Sequence, residues 1–254
     1  MKGILAALMF FTRLPFWRLA TVGKEHFKNV VNYWPYAGII TGAVGAWVMV
    51  ASSFIFPLVV AVLLGVAARV LVTGALHEDG LADFFDGFGG GRDKESILRI
   101  MKDSHIGSYG VLGLIFYFAL LVAVLSSMPI AVSASLFFSG DILCKFISSN
   151  IVNLLPYART EQESKNRLVY NRMPVMLIVV NLVFTILLLW WFYSMYIPCI
   201  ALYALAAPCI VFLLVIWYIK RKIHGYTGDC CGATFLLCEL SFHIASLAII
   251  NTLV

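Results

Sequence analysis

PLVVAVLLGVAARVLVTGALHEDGLADFFDGF, residues 57–88, sets twenty residues with one charge, Arg69, ahead of twelve that hold four acids. A helix rises 1.5 Å per residue, so about 20 apolar residues cross the roughly 30 Å hydrocarbon layer of a bilayer. The first part therefore predicts a transmembrane helix, and the second the polar edge into which it runs. Outward from this stretch the pattern recurs, and spans are expected at 33–53, 57–76, 109–127, 130–155, 174–194, 197–219 and 233–253. The 254 residues are 62% hydrophobic and 12% charged, against about 25% charged in a soluble domain, and the mean hydropathy is +0.95. Eighteen Lys+Arg and 13 Asp+Glu are too few to clothe a soluble core of this size. The expected fold class is all-α, a polytopic transmembrane helix bundle of about seven spans.

All basic residues except Arg69 and Lys145 fall in 1–32, 77–108, 156–173 and 220–232, which seven alternating spans place on one side. The turns expected near Phe54–Phe56, Met128 and Met195–Tyr196 carry no charge. The positive-inside rule then predicts a cytoplasmic N-terminus and an active site on the cytoplasmic face of a bacterial inner membrane. Aromatic pairs at span ends, Tyr33-Trp34, Trp190-Trp191 and Trp217-Tyr218, fit interfacial belts. The chain reads as one integral-membrane domain, 1–254, with 1–32 an interfacial N-terminal segment and 77–108 a cytoplasmic catalytic loop. The opening apolar run resembles a secretion signal, but Thr12-Arg13-Leu14-Pro15 interrupts it without a small-residue cleavage site, so retention is expected. Net charge +5 reports orientation and attraction to membrane lipid, and no basic stripe is long enough to predict nucleic-acid binding. The six cysteines show no C-x-x-C spacing and read as small apolar residues.

Chemistry concentrates in 77–91, HEDGLADFFDGFGGG. On a helix Asp79, Asp83 and Asp86 fall at i, i+4 and i+7, stacked on one face. Three such carboxylates repel unless a divalent cation neutralises them, and oxygen-only donors predict Mg²⁺, with Mn²⁺ as alternate. His77 is open between metal ligand, general base and interfacial cap. The glycines at 89–91 end the helix as a lid, a phosphate approach or a plain linker; no P-loop pattern is present. Residues 92–105 read as an amphipathic helix whose end, Lys102-Asp103-Ser104, offers phosphate contacts. Asp229, in the turn GYTGDCCGA at 225–233, completes the expected metal set, with Thr227 or the turn amides donating to phosphate. Charges inside spans are functional candidates by default. Asp141 and Lys145, at i and i+4, are expected to pair, while Arg69 and Glu239 are placed along a polar pocket leading down from the aspartates. Gly38-x-x-x-Gly42 reads as helix packing in preference to a dimer seam, and a homo-oligomer is left open.

Taken together, Phe10-Phe11-Thr12-Arg13-Leu14-Pro15, the 77–91 block, MKDSHIGSYG at 101–110, Pro156-Tyr157-Ala158-Arg159 and the 225–233 turn with Glu239 after it resemble the cobalamin synthase family, the adenosylcobinamide-GDP ribazoletransferases. The order is the same along essentially the whole chain. Glu78, Phe84-Phe85 and Lys145 depart from the residues common in that family, which are Leu, Thr-Ala and Arg. The resemblance implies a Mg²⁺-dependent transferase that joins adenosylcobinamide-GDP with α-ribazole, or α-ribazole 5′-phosphate, to give adenosylcobalamin, or its 5′-phosphate, and GMP. On that reading Asp79, Asp83, Asp86 and Asp229 hold the metal, and His77 is ligand or base. Lys102 and Arg159 bind phosphate, with Ser104, Thr227, Arg69 and Glu239 as further substrate contacts. Two rivals are weighed. A CDP-alcohol phosphatidyltransferase-like enzyme needs a D-G-x-x-A-R pattern, and Asp83 stands where its arginine belongs. A corrinoid or ion transporter places its site near the midplane between repeats, whereas these acids gather at one edge.

Overall fold

The computed structural model describes residues 2–160, 168–196 and 204–252. Cys199 and the opening of the span expected at 197–219 lie outside the described residues. Every regular element among those described is helical: α1 (Lys2–Phe11), α2 (Trp34–Ser53), α3 (Leu58–Thr73), α4 (Leu76–Gly90), α5 (Lys94–Lys102), α6 (Ser108–Ser126), α7 (Ile130–Ser149), α8 (Val175–Tyr196), α9 (Ala206–Ile223) and α10 (Gly228–Asn251). Short helical turns at Phe16–Arg18, Lys24–Phe27 and Val30–Tyr33 join α1 to α2.

Prolines mark the starts. Pro35 occupies the first turn of α2, where its missing N–H costs nothing, and Pro57 and Pro129 immediately precede α3 and α7. Four helical stretches are long and apolar enough to cross a membrane, Val30–Ser53, Ser108–Ser126, Ile130–Leu154 and Gly228–Asn251, and α3 with α4 passes only as a bent pair. Leu63, Leu71, Phe116, Leu120, Ile186, Leu187 and Trp217 point outward, as lipid-facing side chains do. These are the helices of a membrane protein. Helix α9 ends in Lys220, Arg221 and Lys222, and the turn expected near Met195–Tyr196 falls at the closing residues of α8.

The tightest packing joins α2 to α7. A Cβ on Gly42 would stand 3.0 Å from the Phe138 carbonyl oxygen, so the Gly38-x-x-x-Gly42 seam is used within the chain. The largest departure from expectation is at residue 74. Span 57–76 does not run on helically into the aspartates, because Gly74 (φ +66°) and Ala75 (φ +58°) both adopt the left-handed conformation. Glycine takes that region freely, whereas alanine pays about 1–3 kcal/mol for it. The corner is held by the Arg13 N–H donating to the Val72 carbonyl at 2.7 Å. Helix α4 leaves it at 91° to α3, so where α3 crosses a bilayer α4 lies across the end of the bundle. The segment expected as a catalytic loop is thus mostly helix, α4 followed by α5, which is opened by the Asp93–Ser96 capping box.

Candidate active site

Helix α4 crosses α10 at their N-terminal ends, and a glycine on each side permits it. A Cβ on Gly80 would sit 3.0 Å from the Asp229 carbonyl oxygen, and one on Gly232 3.2 Å from the His77 Cα. Close backbone approach brings Asp79, in the first turn of α4, to the same place as Asp229, in the first turn of α10. Thr227 caps α10: its hydroxyl accepts the Cys230 N–H at 3.3 Å and donates to Asp229 Oδ2 at 3.5 Å. The turn before it is tied to the segment after α7, since Ala158 N–H donates to the Tyr226 carbonyl at 2.8 Å and Tyr226 N–H to that of Pro156 at 2.9 Å. That pairing carries Arg159 to the crossing, where its Nη2 donates to the Leu98 carbonyl of α5 at 2.7 Å.

A cavity of about 130 Å³ opens at this junction. Asp79, Asp229, Arg159 and Gly228 line it together with Phe10, Phe11, Trp34, Tyr157, Leu168 and Tyr170. His77, which also lines the cavity, packs against Phe11 (centroids 6.1 Å apart) and Trp34 (5.4 Å), both nearly parallel to it. His77 is 3% exposed and its Nε2 has no hydrogen-bond partner. Burial pushes its imidazole well below the ordinary histidine range, helped by the cations of Lys145 and Arg69, so it is neutral at working pH. Burial likewise raises the Tyr157 phenol to about 12 and that of Tyr170 well above its usual value, so both stay protonated donors.

Other candidates lie elsewhere. Asp86 is buried, with Oδ2 accepting the Gly107 N–H at 2.7 Å and Oδ1 that of Gly110 at 2.8 Å. It stands about 10 Å along α4 from Asp79, seven residues at 1.5 Å each. Asp83 is half-buried one turn beyond Asp79 and is not among the cavity's lining residues. Lys102, the last residue of α5, and Ser104 beyond it are exposed and do not line the cavity. Arg69 and Glu239 are not among the residues that line the cavity holding Asp79 and Asp229. They form an ion pair inside the bundle, closed by Tyr117, whose hydroxyl accepts from Arg69 Nη2 and donates to Glu239 Oε2, each at 3.0 Å. Asp141 pairs with Lys145, and Thr41 Oγ1 lies 2.7 Å from Lys145 Nζ and 3.1 Å from Asp141 Oδ1. Arg69 Nη1 is 3.7 Å from Asp141, which links the two pairs. A buried charge without a partner costs several kcal/mol, and this cluster answers each with its opposite.

Among the described residues no three His, Cys, Asp or Glu side chains gather to hold a metal. The donor set nonetheless suits Mg²⁺, which is commonly held by one or two carboxylates together with substrate phosphates and water, and Asp79 and Asp229 are such a pair. Sequence reasoning missed the aromatic residues of the cavity lining. Phe10-Phe11 and Tyr157 stood in quoted motif blocks but were passed over for charged neighbours, and nothing in the local sequence singles out Tyr170.

The cobalamin-5-phosphate synthase family matches residues 3–247. An adenosylcobinamide-GDP ribazoletransferase of Shewanella frigidimarina is 33% identical over 96% of this chain and 93% of its own. Enzymes of the same name from Shewanella baltica and Shewanella amazonensis are 32% and 34% identical, over 98% and 96% of this chain and 95% and 94% of theirs. No solved structure matches. With the family match and the relatives both spanning nearly the full length, the chain belongs to the cobalamin-5-phosphate synthase family.

Proposed function

We propose that this protein is an adenosylcobinamide-GDP ribazoletransferase, joining adenosylcobinamide-GDP to α-ribazole or its 5′-phosphate with release of GMP. One observation carries the reading at the level of chemistry: Asp79, Asp229 and Arg159, from three separate segments, line one cavity. In the reaction the ribazole hydroxyl oxygen attacks the phosphorus attached to the corrinoid arm, and the bond from that phosphorus to the GMP oxygen breaks. Positioning and charge stabilisation supply most of the acceleration in such transfers.

Arg159, its guanidinium anchored on Leu98, offers its remaining N–H groups to a phosphate oxygen. Asp79 and Asp229, with Asp83 one turn along α4, are the residues that would hold Mg²⁺. When bound, the ion neutralises charge on the diphosphate and on departing GMP. His77 lines the cavity, and its buried Nε2, without a hydrogen-bond partner, is the atom that would serve as metal ligand or take the hydroxyl proton.

The seven-span topology with a cytoplasmic N-terminus belongs to the same proposal. It is supported by the basic residues of 1–32, 77–108, 156–173 and 220–232, the segments that also supply most of the cavity's lining. Purified protein supplied with adenosylcobinamide-GDP, α-ribazole and Mg²⁺ is expected to release GMP, and EDTA to stop it. Absence of GMP under those conditions, with CMP formed from a CDP-alcohol instead, replaces the assignment by its rival.

A further inference from the structure

We infer that the hydroxyl of Tyr170 donates a hydrogen bond to a phosphate oxygen of the substrate, and that Asn153 is the positioning residue that holds Tyr170 in place. The inference rests on the proposed reaction and adds to it one substrate contact and one support.

Tyr170 belongs to residues 168–174, which form no regular element, so neither a helix nor a sheet fixes its backbone. Ties to distant parts of the chain do so instead. Asn171 N–H donates to the Lys28 carbonyl at 2.8 Å, and Asn171 Nδ2 donates to Asn29 Oδ1 at 3.1 Å. Two residues further on, Met173 N–H donates at 2.8 Å to Oδ1 of Asn153, which lies in the short helix Ile151–Leu154 after α7. Met173 is buried, and a buried N–H left without an acceptor is costly, so the strap stays where Asn153 puts it. Asn153 Nδ2 is itself buried without a partner, so the position uses only its acceptor oxygen.

The ring of Tyr170 meets that of Phe10 edge to face at 6.3 Å. Its hydroxyl reaches α10: a Cβ built on Gly228 would have a single non-local atom within 4 Å, the Tyr170 hydroxyl oxygen at 3.8 Å. Gly228 opens α10, Asp229 follows it, and both line the cavity with Arg159 and Tyr170. The hydroxyl thus faces the turn that carries one carboxylate of the proposed ion site. A phenol is a donor at neutral pH, and its hydrogen bonds are strongest to anionic oxygens. Phosphate is the group that Arg159 and an ion on Asp79 and Asp229 would bring to this cavity, so its oxygens are the acceptors that the reaction supplies to Tyr170.

The test uses the full-length protein in detergent. Tyr170→Phe removes the hydroxyl and keeps the ring against Phe10. Equilibrium dialysis with labelled inorganic pyrophosphate and Mg²⁺ is expected to show about tenfold weaker binding, the size of a lost hydrogen bond to a charged group. Mn²⁺ binding without pyrophosphate, and Tm, should hold. In turnover, kcat/KM for adenosylcobinamide-GDP falls by a similar factor while KM for α-ribazole is unchanged. Asn153→Leu, which has no acceptor, should weaken pyrophosphate binding several-fold, and Asn153→Asp, which keeps one, should bind it as the parent does. Pyrophosphate binding by Tyr170→Phe at the parent's strength overturns the contact, as does a parent that binds no pyrophosphate. Weaker Mn²⁺ binding in Tyr170→Phe also overturns it and gives the hydroxyl to Asp229. Equal weakening by Asn153→Leu and Asn153→Asp overturns the positioning role. A parent that binds pyrophosphate but releases no GMP counts against the proposed reaction, and the dialysis still decides whether Tyr170 meets phosphate.

Discussion

Asp86 caps a helix to which it does not belong: its Oδ1 takes the N–H of Gly110, in the first turn of α6, at 2.8 Å, while Oδ2 takes that of Gly107. Both oxygens are thus engaged in fixing α4 to the N-terminus of α6, where a negative charge also meets the favourable end of the helix dipole. Asp86→Ala is expected to lower stability by about 1.5–3 kcal/mol, the range for hydrogen bonds to a charged group, read as a drop in Tm in detergent. Asp86→Asn, which keeps one acceptor, should fall between the two. Neither change should move the Mg²⁺ concentration that gives half-maximal activity of whatever protein remains folded. A tenfold shift in that concentration for Asp86→Asn would return the residue to the metal set.

Asp79 and Asp229 carry the opposite expectation. Each lines the cavity, and replacing either by Asn removes a charge from the proposed ion site while keeping volume and shape. GMP release should fall at least a hundredfold, roughly the worth of one strong electrostatic contact in a transferring site, with Tm within a few degrees of the parent. Direct Mn²⁺ binding, followed by electron paramagnetic resonance, should weaken in both. Retained activity in Asp229→Asn would limit the site to α4.

Gly80 is expected to tolerate no side chain, because the atoms that a Cβ would meet at 3.0 and 3.1 Å are backbone of Asp229, which cannot rotate away. Gly80→Ala should push α4 off α10, costing about 1–3 kcal/mol as overpacking does and separating the two carboxylates. Gly90→Ala is the internal control. Its Cβ would come no nearer than 3.5 Å to the end of the flexible Ile100 side chain, so activity and Tm should hold. Equal behaviour of the two variants in an activity assay and a thermal scan would refute the crossing as the basis of the site.

Legibility in the sequence followed the range of the interaction. Apolar runs such as 109–127 and 130–155 announced α6 and α7, since a membrane helix is a local composition problem. The periodicity of Asp79, Asp83 and Asp86 placed them rightly on a helix, but periodicity says nothing of what stands opposite each. Asp86 was claimed by Gly107 and Gly110, more than 20 residues on, and that pairing has no local signature. The break at Gly74 was unreadable for a related reason: Thr-Gly-Ala inside an apolar run also fits a continuous span, and only the left-handed conformation of both Gly74 and Ala75 makes the corner. Arg69 and Glu239 were singled out as functional candidates because a charge inside a membrane span is costly. They answer each other, across 170 residues of chain, instead of facing a substrate.

That pair supports the last prediction. Arg69 is 1% exposed and Glu239 fully buried, and Tyr117 and Asp141 stand around them, so the whole group is balanced only while every member is present. Arg69→Met strands Glu239 and leaves Asp141 to Lys145 and Thr41. Breaking a buried pair from one side typically costs about 3–5 kcal/mol, and a sharp fall in detergent-extracted folded protein is expected. Glu239→Leu should do comparable harm by stranding Arg69. Joining the two, Arg69→Met with Glu239→Leu, removes both charges together and should recover more than half of the loss, because apolar packing then replaces an ion pair that had paid heavily for its desolvation. Thermal scans of the two single variants and the double variant make a closed cycle. A double variant no more stable than the sum of the single losses would show that Arg69 and Glu239 act independently. Restored folding without restored GMP release would assign the cluster a part in shaping the site above it as well as in holding the bundle.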